Sequence, residues 1–170
     1  MSLINTTVGN YRVTKLLGEG GMGAVYLGEH PVIGRKVAIK VLHTALAADK
    51  DIVARFFNEA RAIHLIAHPN IVEILDFGQT PDGQPYFIME YLTGEALSEI
   101  VARGPISAPE VAALADQMCR ALGAAHAKGI VHRDLKPHIC SAMTATSGAQ
   151  MGPRATSSLS ASPVRYSMMK

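Results

Sequence analysis

The alternation of apolar and polar positions predicts a sheet in the first half of the chain. Five short segments rich in Val, Ile and aromatic residues are separated by glycine, proline and polar turns. Turn residues between successive segments favour an antiparallel arrangement. The predicted strands are Tyr11–Leu17, Ala24–Gly28, Arg35–Leu42, Ile71–Gly78 and Pro85–Tyr91.

Two longer segments carry apolar residues at spacings of three and four, which is typical of an amphipathic helix. The first covers residues 49–67 and is expected to cross the sheet. The second covers residues 108–128 and begins at a capping box formed by Ser107 and Glu110. Gly129 is placed to end it in a left-handed cap. The chain is therefore predicted to be of the α+β class.

The character of the sequence changes after residue 139. Residues 140–170 contain no acidic side chain and consist mostly of Ser, Ala, Thr, Gly and Met. Such a composition offers little apolar surface to bury, so we expect residues 139–170 to be disordered.

Charge and cysteine content exclude several classes of protein. The net charge is only +2, from 16 basic and 14 acidic residues, so no nucleic-acid partner is indicated. Cys119 and Cys140 have neither metal-ligand spacing nor a disulfide framework, which favours a reducing compartment, the cytoplasm. No run of roughly 18 apolar residues occurs, and the start lacks the pattern of a signal peptide. We therefore expect no membrane span.

A glycine cluster between the first two strands fits the pattern G-x-G-x-x-G-x-V over Gly18–Val25. Missing side chains let backbone N–H groups approach a polyphosphate closely. A glycine-rich hairpin that binds no ligand would have the same sequence pattern. The strand that follows argues against a dinucleotide fold, and no Gly-Lys-Ser/Thr forms a P-loop. The remaining interpretation is a strand-loop-strand lid over ATP.

Lys40 ends the apolar run Val37-Ala38-Ile39-Lys40, where a lysine is often merely exposed or snorkelling. Glu59 lies at the edge of the apolar stripe of the first helix. A carboxylate facing the sheet needs a cation, and Lys40 is the obvious candidate. If Glu59 instead lies on a solvated helix edge, no such pair forms.

The string Val131-His132-Arg133-Asp134-Leu135-Lys136-Pro137 is the most specific in the chain. With the glycine cluster and Lys40 before it, the stretch from Tyr11 to Pro137 resembles a protein kinase in the identity, order and spacing of its motifs. The sequence of residues 18–28 is similar to that of the bacterial eukaryotic-like (Hanks-type) serine/threonine kinases.

The resemblance implies a kinase small lobe and an ATP site. Glycines of the cluster would cover ATP, Ala38 would line the adenine pocket, and Met89 would be the gatekeeper. Backbone groups of Glu90 and Leu92 would bind the adenine edge. The nucleotide-binding positions implied are Leu17, Gly18, Glu19, Gly20, Gly21, Met22, Gly23, Val25, Ala38, Lys40, Glu59, Met89, Glu90 and Leu92.

The resemblance also implies two catalytic residues. Asp134 would accept the proton of the substrate hydroxyl, and Lys136 would lie near the transferred phosphoryl group. Lysine at that position resembles the pattern of kinases that act on serine and threonine of protein substrates. Pairing of small lobes is a further interaction that the resemblance allows.

Domain limits follow from the same comparison. An extension covers residues 1–10, and the small lobe with its hinge covers residues 11–92. It is expected to hold a five-stranded antiparallel sheet and one crossing helix. A partial, mostly helical larger lobe covers residues 93–138, and the disordered tail covers residues 139–170.

The sequence departs from the family pattern after Pro137. The family has an asparagine that binds Mg²⁺ five residues after the catalytic aspartate, and Ile139 stands there. No Asp-Phe-Gly follows it, so no metal ligand is predicted. We expect a chain that is impaired in phosphoryl transfer, interrupted by a shifted reading frame or a broken gene. The alternatives are an ATP-binding or small-lobe interaction module without catalysis, and a nonfunctional product.

Overall fold

The computed structural model describes residues 3–132 and, for the backbone alone, the segments 140–142 and 164–166. The chain divides into two compact units. The first contains Met1–Leu65 and Glu73–Tyr91, and the second contains Ile66–Val72 and Leu92–Met169.

The first unit contains a six-stranded antiparallel sheet in the order β1-β2-β3-β4-β6-β5. The strands are β1 Thr7–Val8, β2 Tyr11–Glu19, β3 Gly23–Glu29, β4 Lys36–Leu42, β5 Ile74–Gln79 and β6 Pro85–Glu90. The prediction of an antiparallel sheet is confirmed, but the number of strands is six rather than five. The extra strand β1 arises in the predicted extension, because Val8 is buried and pairs with Tyr11 across a short turn.

Strand β4 is central and buried on both faces, as its continuous apolar run predicts. On one face, Val37, Ile39 and Val41 belong to a fully apolar cluster that includes Tyr26. On the other face lies Lys40, which is buried as well. A charged side chain is therefore held inside the small sheet unit, and it needs a partner there.

Helix α1, Lys50–Ile66, packs against the sheet face that carries Lys40. Asp49 begins the helix, since its Oδ1 accepts hydrogen bonds from the N–H groups of Asp51 and Ile52 at 2.9 and 3.1 Å. The rings of Phe56 and Phe87 lie 4.9 Å apart between helix and sheet. The predicted helix over residues 49–67 is thus confirmed to within one residue at each end.

The second unit is mostly helical in its described part. It contains β7 Glu95–Ala96, α2 Leu97–Arg103, α3 Ala108–Ala127, β8 Cys140–Ala142 and β9 Val164–Tyr166. Glu110 accepts a hydrogen bond from the backbone N–H of Ser107 at 3.1 Å, so the predicted capping box starts α3. Gly129 follows with φ of 72°, as its predicted left-handed cap requires. None of the described helices is long and apolar enough to cross a membrane.

The start of β5 and the predicted tail show the largest departures from the prediction. β5 begins at Ile74 rather than Ile71, because the N–H of Ile71 donates to His68 O at 2.9 Å in a turn. Within the predicted disordered tail, residues 140–142 and 164–166 form the strands β8 and β9, which pair with each other. Strand pairing with a distant segment is a tertiary effect that composition does not encode.

Candidate nucleotide-binding site

The glycine cluster forms the turn between β2 and β3. Gly18 pairs with Val25 in this hairpin, and the N–H of Gly20 donates to Gly23 O at 2.9 Å. A methyl group built at Gly18 or Gly21 would meet no atom within 4 Å, and one at Gly20 would meet only Gly23 O at 4.0 Å. These three backbones thus border open space, so a ligand can approach them closely.

Gly23 has a different reason to lack a side chain. A Cβ there would lie 2.2 Å from Val41 O and 3.0 Å from the carbonyl carbon of Val41. Real Cβ atoms do not come that close to backbone, so glycine lets β3 approach β4 at this point. The structure therefore gives Gly23 a role in the contact between β3 and β4, and the role over ATP that the resemblance implies stays a prediction.

Lys40 and Glu59 form the predicted ion pair. Lys40 Nζ lies 2.9 Å from Glu59 Oε1, and the two side chains are 5% and 21% exposed. The same Nζ lies 5.9 and 5.6 Å from the ring centroids of Phe56 and Phe87. A carboxylate and two aromatic faces therefore hold the ammonium group in place. The alternative, in which Glu59 forms no pair with Lys40, is excluded.

Strand pairing places Lys40 beside the glycine hairpin. Its Cα partner on one side is Val25 in β3, and on the other side it is Phe87 in β6. Two residues earlier, Ala38 pairs with Met89, and both are buried. Ala38 and Met89 therefore lie side by side on the neighbouring strands β4 and β6.

The residues predicted as a hinge follow β6. The N–H of Glu90 donates to Glu73 O at 3.0 Å, and its Oε1 accepts from the N–H of Glu73 at 2.9 Å. The amide of Glu90 is thus engaged within the first unit, so any contribution to an adenine would come from its carbonyl group. Leu92 lies in the second unit. Of the remaining predicted positions, Leu17 is 40% exposed on β2.

Glu19 and Met22 flank the glycine turn at its two ends. The Glu19 side chain is 61% exposed, and its Oε1 lies 3.7 Å from His43 Nε2. Met22 O accepts a hydrogen bond from the backbone N–H of His43 at 3.0 Å. The sequence analysis did not identify His43 as a residue of the site. The feature that could have indicated it is a histidine directly after the last residue of β4.

The predicted catalytic residues Asp134 and Lys136 lie outside the described residues, as does Ile139. Among the residues that the structure does describe, no group of three His, Cys, Asp or Glu side chains could hold a metal ion. Isoleucine has no donor atom for Mg²⁺, a hard cation that prefers oxygen ligands. Position 139 of the sequence therefore lacks the oxygen donor with which the asparagine of the family binds magnesium.

One Asp-Phe-Gly string does occur, at Asp76-Phe77-Gly78. It lies in the edge strand β5, where Asp76 Oδ1 accepts a hydrogen bond from the N–H of Phe77 at 2.8 Å. It precedes the string around Asp134, whereas the family pattern places its metal-binding Asp-Phe-Gly after that string. Residues 76–78 are thus part of the sheet and do not supply the missing ligand.

Comparison with known proteins agrees with this geometry. Residues 11–139 match the protein kinase domain family. Serine/threonine-protein kinase Pkn1 of Myxococcus xanthus is 53% identical over 135 residues, which is 79% of this chain and 19% of that protein. Serine/threonine-protein kinase PrkC of Bacillus subtilis is 42% identical over 131 residues, covering 76% of this chain and 20% of that protein. The chain thus spans about a fifth of the length of these relatives.

Solved structures show the same similarity. The crystal structure of the kinase domain of Mycobacterium tuberculosis PknI superimposes with a TM-score of 0.67 at 30% identity, over 98% of this chain and 62% of that one. The family match, these relatives and the similarity of fold show that the chain belongs to the protein kinase family, among the bacterial serine/threonine-protein kinases.

Proposed function

We propose that the first unit binds ATP, with the glycine hairpin over the polyphosphate and Lys40 against the α- and β-phosphates. The observation that carries the proposal is the 2.9 Å pair between Lys40 and Glu59, buried beside that hairpin. A lysine so enclosed has few rotamers, and its positive charge is fixed where a phosphate would need it. Gly20 and Gly21 border open space, which supports a close approach of phosphate oxygens to the backbone.

The adenine ring would lie beside Ala38 and Met89, which pair across β4 and β6. The carbonyl of Glu90, in the same unit, would bind its polar edge. An apolar wall with a few polar backbone groups is the usual design of such a site. A cytoplasmic location follows from the use of ATP and from the two cysteines without a disulfide framework.

The activity of the family is transfer of the γ-phosphoryl group of ATP to serine or threonine hydroxyls of proteins. Asp134 would accept the hydroxyl proton, and Lys136 would lie near the transferred group. Because Ile139 cannot replace a metal-binding asparagine, we propose that this chain binds ATP but is impaired in transfer. Removal of one preorganised electrostatic group commonly lowers a rate by ~10²- to 10³-fold.

Displacement of a fluorescent ATP analogue from the full chain tests the binding. We expect Lys40→Met to weaken ATP binding at least about tenfold, since a charge contact to phosphate contributes ~1.5–3 kcal/mol. The matched control is Lys36→Met, which removes an exposed lysine from the same strand. Equal affinities of wild type and Lys40→Met would refute the nucleotide site.

Transfer is tested separately with γ-labelled ATP and a generic protein substrate. We expect ATP binding that persists in the presence of a magnesium chelator, without transfer of label when magnesium is restored. Magnesium-dependent labelling that is lost in Lys40→Met would show that the chain is an active kinase and would overturn the proposed impairment.

A further inference from the structure

His43 contacts the glycine turn at two points from the end of β4. Its backbone N–H donates to Met22 O at 3.0 Å, and its ring Nε2 lies 2.8 Å from Gly20 O. Glu19 Oε1 lies 3.7 Å from the same ring nitrogen. The two carbonyls are those on either side of Gly21, which is the tip of the turn.

The hydrogen bond between the His43 ring and Gly20 O can have only one direction. A carbonyl oxygen accepts hydrogen bonds and cannot donate them, so Nε2 must carry the proton and donate to Gly20 O. The neutral tautomer with hydrogen on Nε2 satisfies this requirement, as does the imidazolium form.

The contact also sets the direction of an amide. Gly20 C=O and Gly21 N–H belong to one peptide group, and no cis peptide bond occurs in the described chain. In a planar trans peptide, the C=O and N–H bonds point in opposite directions. While Gly20 O faces His43, the N–H of Gly21 is therefore directed away from His43.

The side-chain alternation of β4 relates His43 and Lys40 to the two faces of the sheet. The His43 side chain lines a cavity of about 140 Å³ together with Tyr26 and Val41. Val41 and Lys40 are neighbours in β4, so their side chains point to opposite faces. The N–H of Gly21 is thus directed away from the His43 ring and from the side on which Val41 lies, while Lys40 lies on the other side of β4.

We propose that His43 is a positioning residue for phosphate binding, which orients the Gly21 N–H toward the polyphosphate by holding Gly20 O. This inference rests on the proposed ATP site. The ring does not touch the nucleotide, and it acts through the peptide between Gly20 and Gly21. The ligand class that depends on it is a nucleoside polyphosphate, and an uncharged nucleoside should be indifferent to it.

The test compares ATP with adenosine on the full chain, each by displacement of a fluorescent nucleotide. We expect His43→Ala to bind ATP about fivefold more weakly, as loss of one partly exposed hydrogen bond implies, with unchanged affinity for adenosine. His43→Gln keeps an N–H donor at a similar reach and should recover most of the ATP affinity. A general loss of folding would weaken the binding of both ATP and adenosine, and His43→Gln would not restore it.

Hydrogen exchange tests the anchor without nucleotide. Residues 18–23 should exchange faster in His43→Ala than in wild type, while α1 is unchanged. The inference is overturned if their exchange is unaltered, or if His43→Ala keeps the wild-type ratio of ATP to adenosine affinity while Lys40→Met loses ATP. If the wild-type chain does not bind ATP and Lys40→Met leaves the displacement signal unchanged, the proposed function is refuted. The inference about His43 is then refuted with it.

Discussion

Removal of either partner of the Lys40–Glu59 pair should destabilise the first unit, but by unequal amounts. At 2.9 Å and an effective dielectric constant of ~20, the attraction is about 6 kcal/mol before desolvation. Loss of one partner from a buried pair costs ~3–5 kcal/mol, because the other charge is left without compensation. Glu59→Ala leaves Lys40 only 5% exposed, so we expect a loss of about 3 kcal/mol after partial compensation by the Phe56 and Phe87 rings.

Lys40→Met leaves Glu59 instead, and its side chain is 21% exposed. Water reaches that carboxylate, so we expect a smaller loss of about 1–2 kcal/mol. The double variant Lys40→Met/Glu59→Leu should be more stable than Glu59→Ala, since both charges of the pair are then replaced by apolar side chains. Lys36→Met, from the exposed end of β4, is the control and should change the free energy of unfolding by less than about 0.5 kcal/mol.

Urea unfolding followed by far-ultraviolet circular dichroism measures these free energies, and hydrogen exchange of β4 assigns them to the first unit. If Lys40→Met is as costly as Glu59→Ala, the difference in burial does not control the energetics. If both variants behave like Lys36→Met, the pair is not formed in solution. Either result would refute the reasoning.

Two further perturbations address the sheet. Gly23→Ala should lower the free energy of unfolding by more than about 2 kcal/mol, since its Cβ would lie 2.2 Å from Val41 O, whereas Gly21→Ala should leave urea unfolding unchanged and weaken only ATP binding. Burial, and secondarily the Asp76 carboxylate, raises the pKa of Tyr86 above 10.0. The folded state then retains the proton that the unfolded state loses, so stability should fall as pH rises above about 10, and the fall should be shallower in Tyr86→Phe. Equal losses in Gly23→Ala and Gly21→Ala, or parallel pH profiles, would contradict these two predictions.

Much of the fold follows from local patterns. The apolar residues of 35–42 predicted a strand, which the structure shows to be the central β4, and the three- and four-residue spacing predicted α1 with Glu59 at its edge. These features are local because side-chain direction repeats every two residues in a strand and every 3.6 in a helix. A charge at the edge of an apolar stripe needs a partner, which made the Lys40–Glu59 pair predictable.

Other features were decided by tertiary structure alone. No pattern distinguishes Thr7–Val8 as a strand, because two residues carry no periodicity and acquire strand geometry only by pairing with β2. Gly23 approaches Val41 although the two lie 18 positions apart in the sequence. His43 contacts Gly20 across a separation of 23 positions. Element type is thus determined by the sequence over a few turns, whereas backbone contacts between distant strands depend on how the sheet closes, and only the folded chain contains that information.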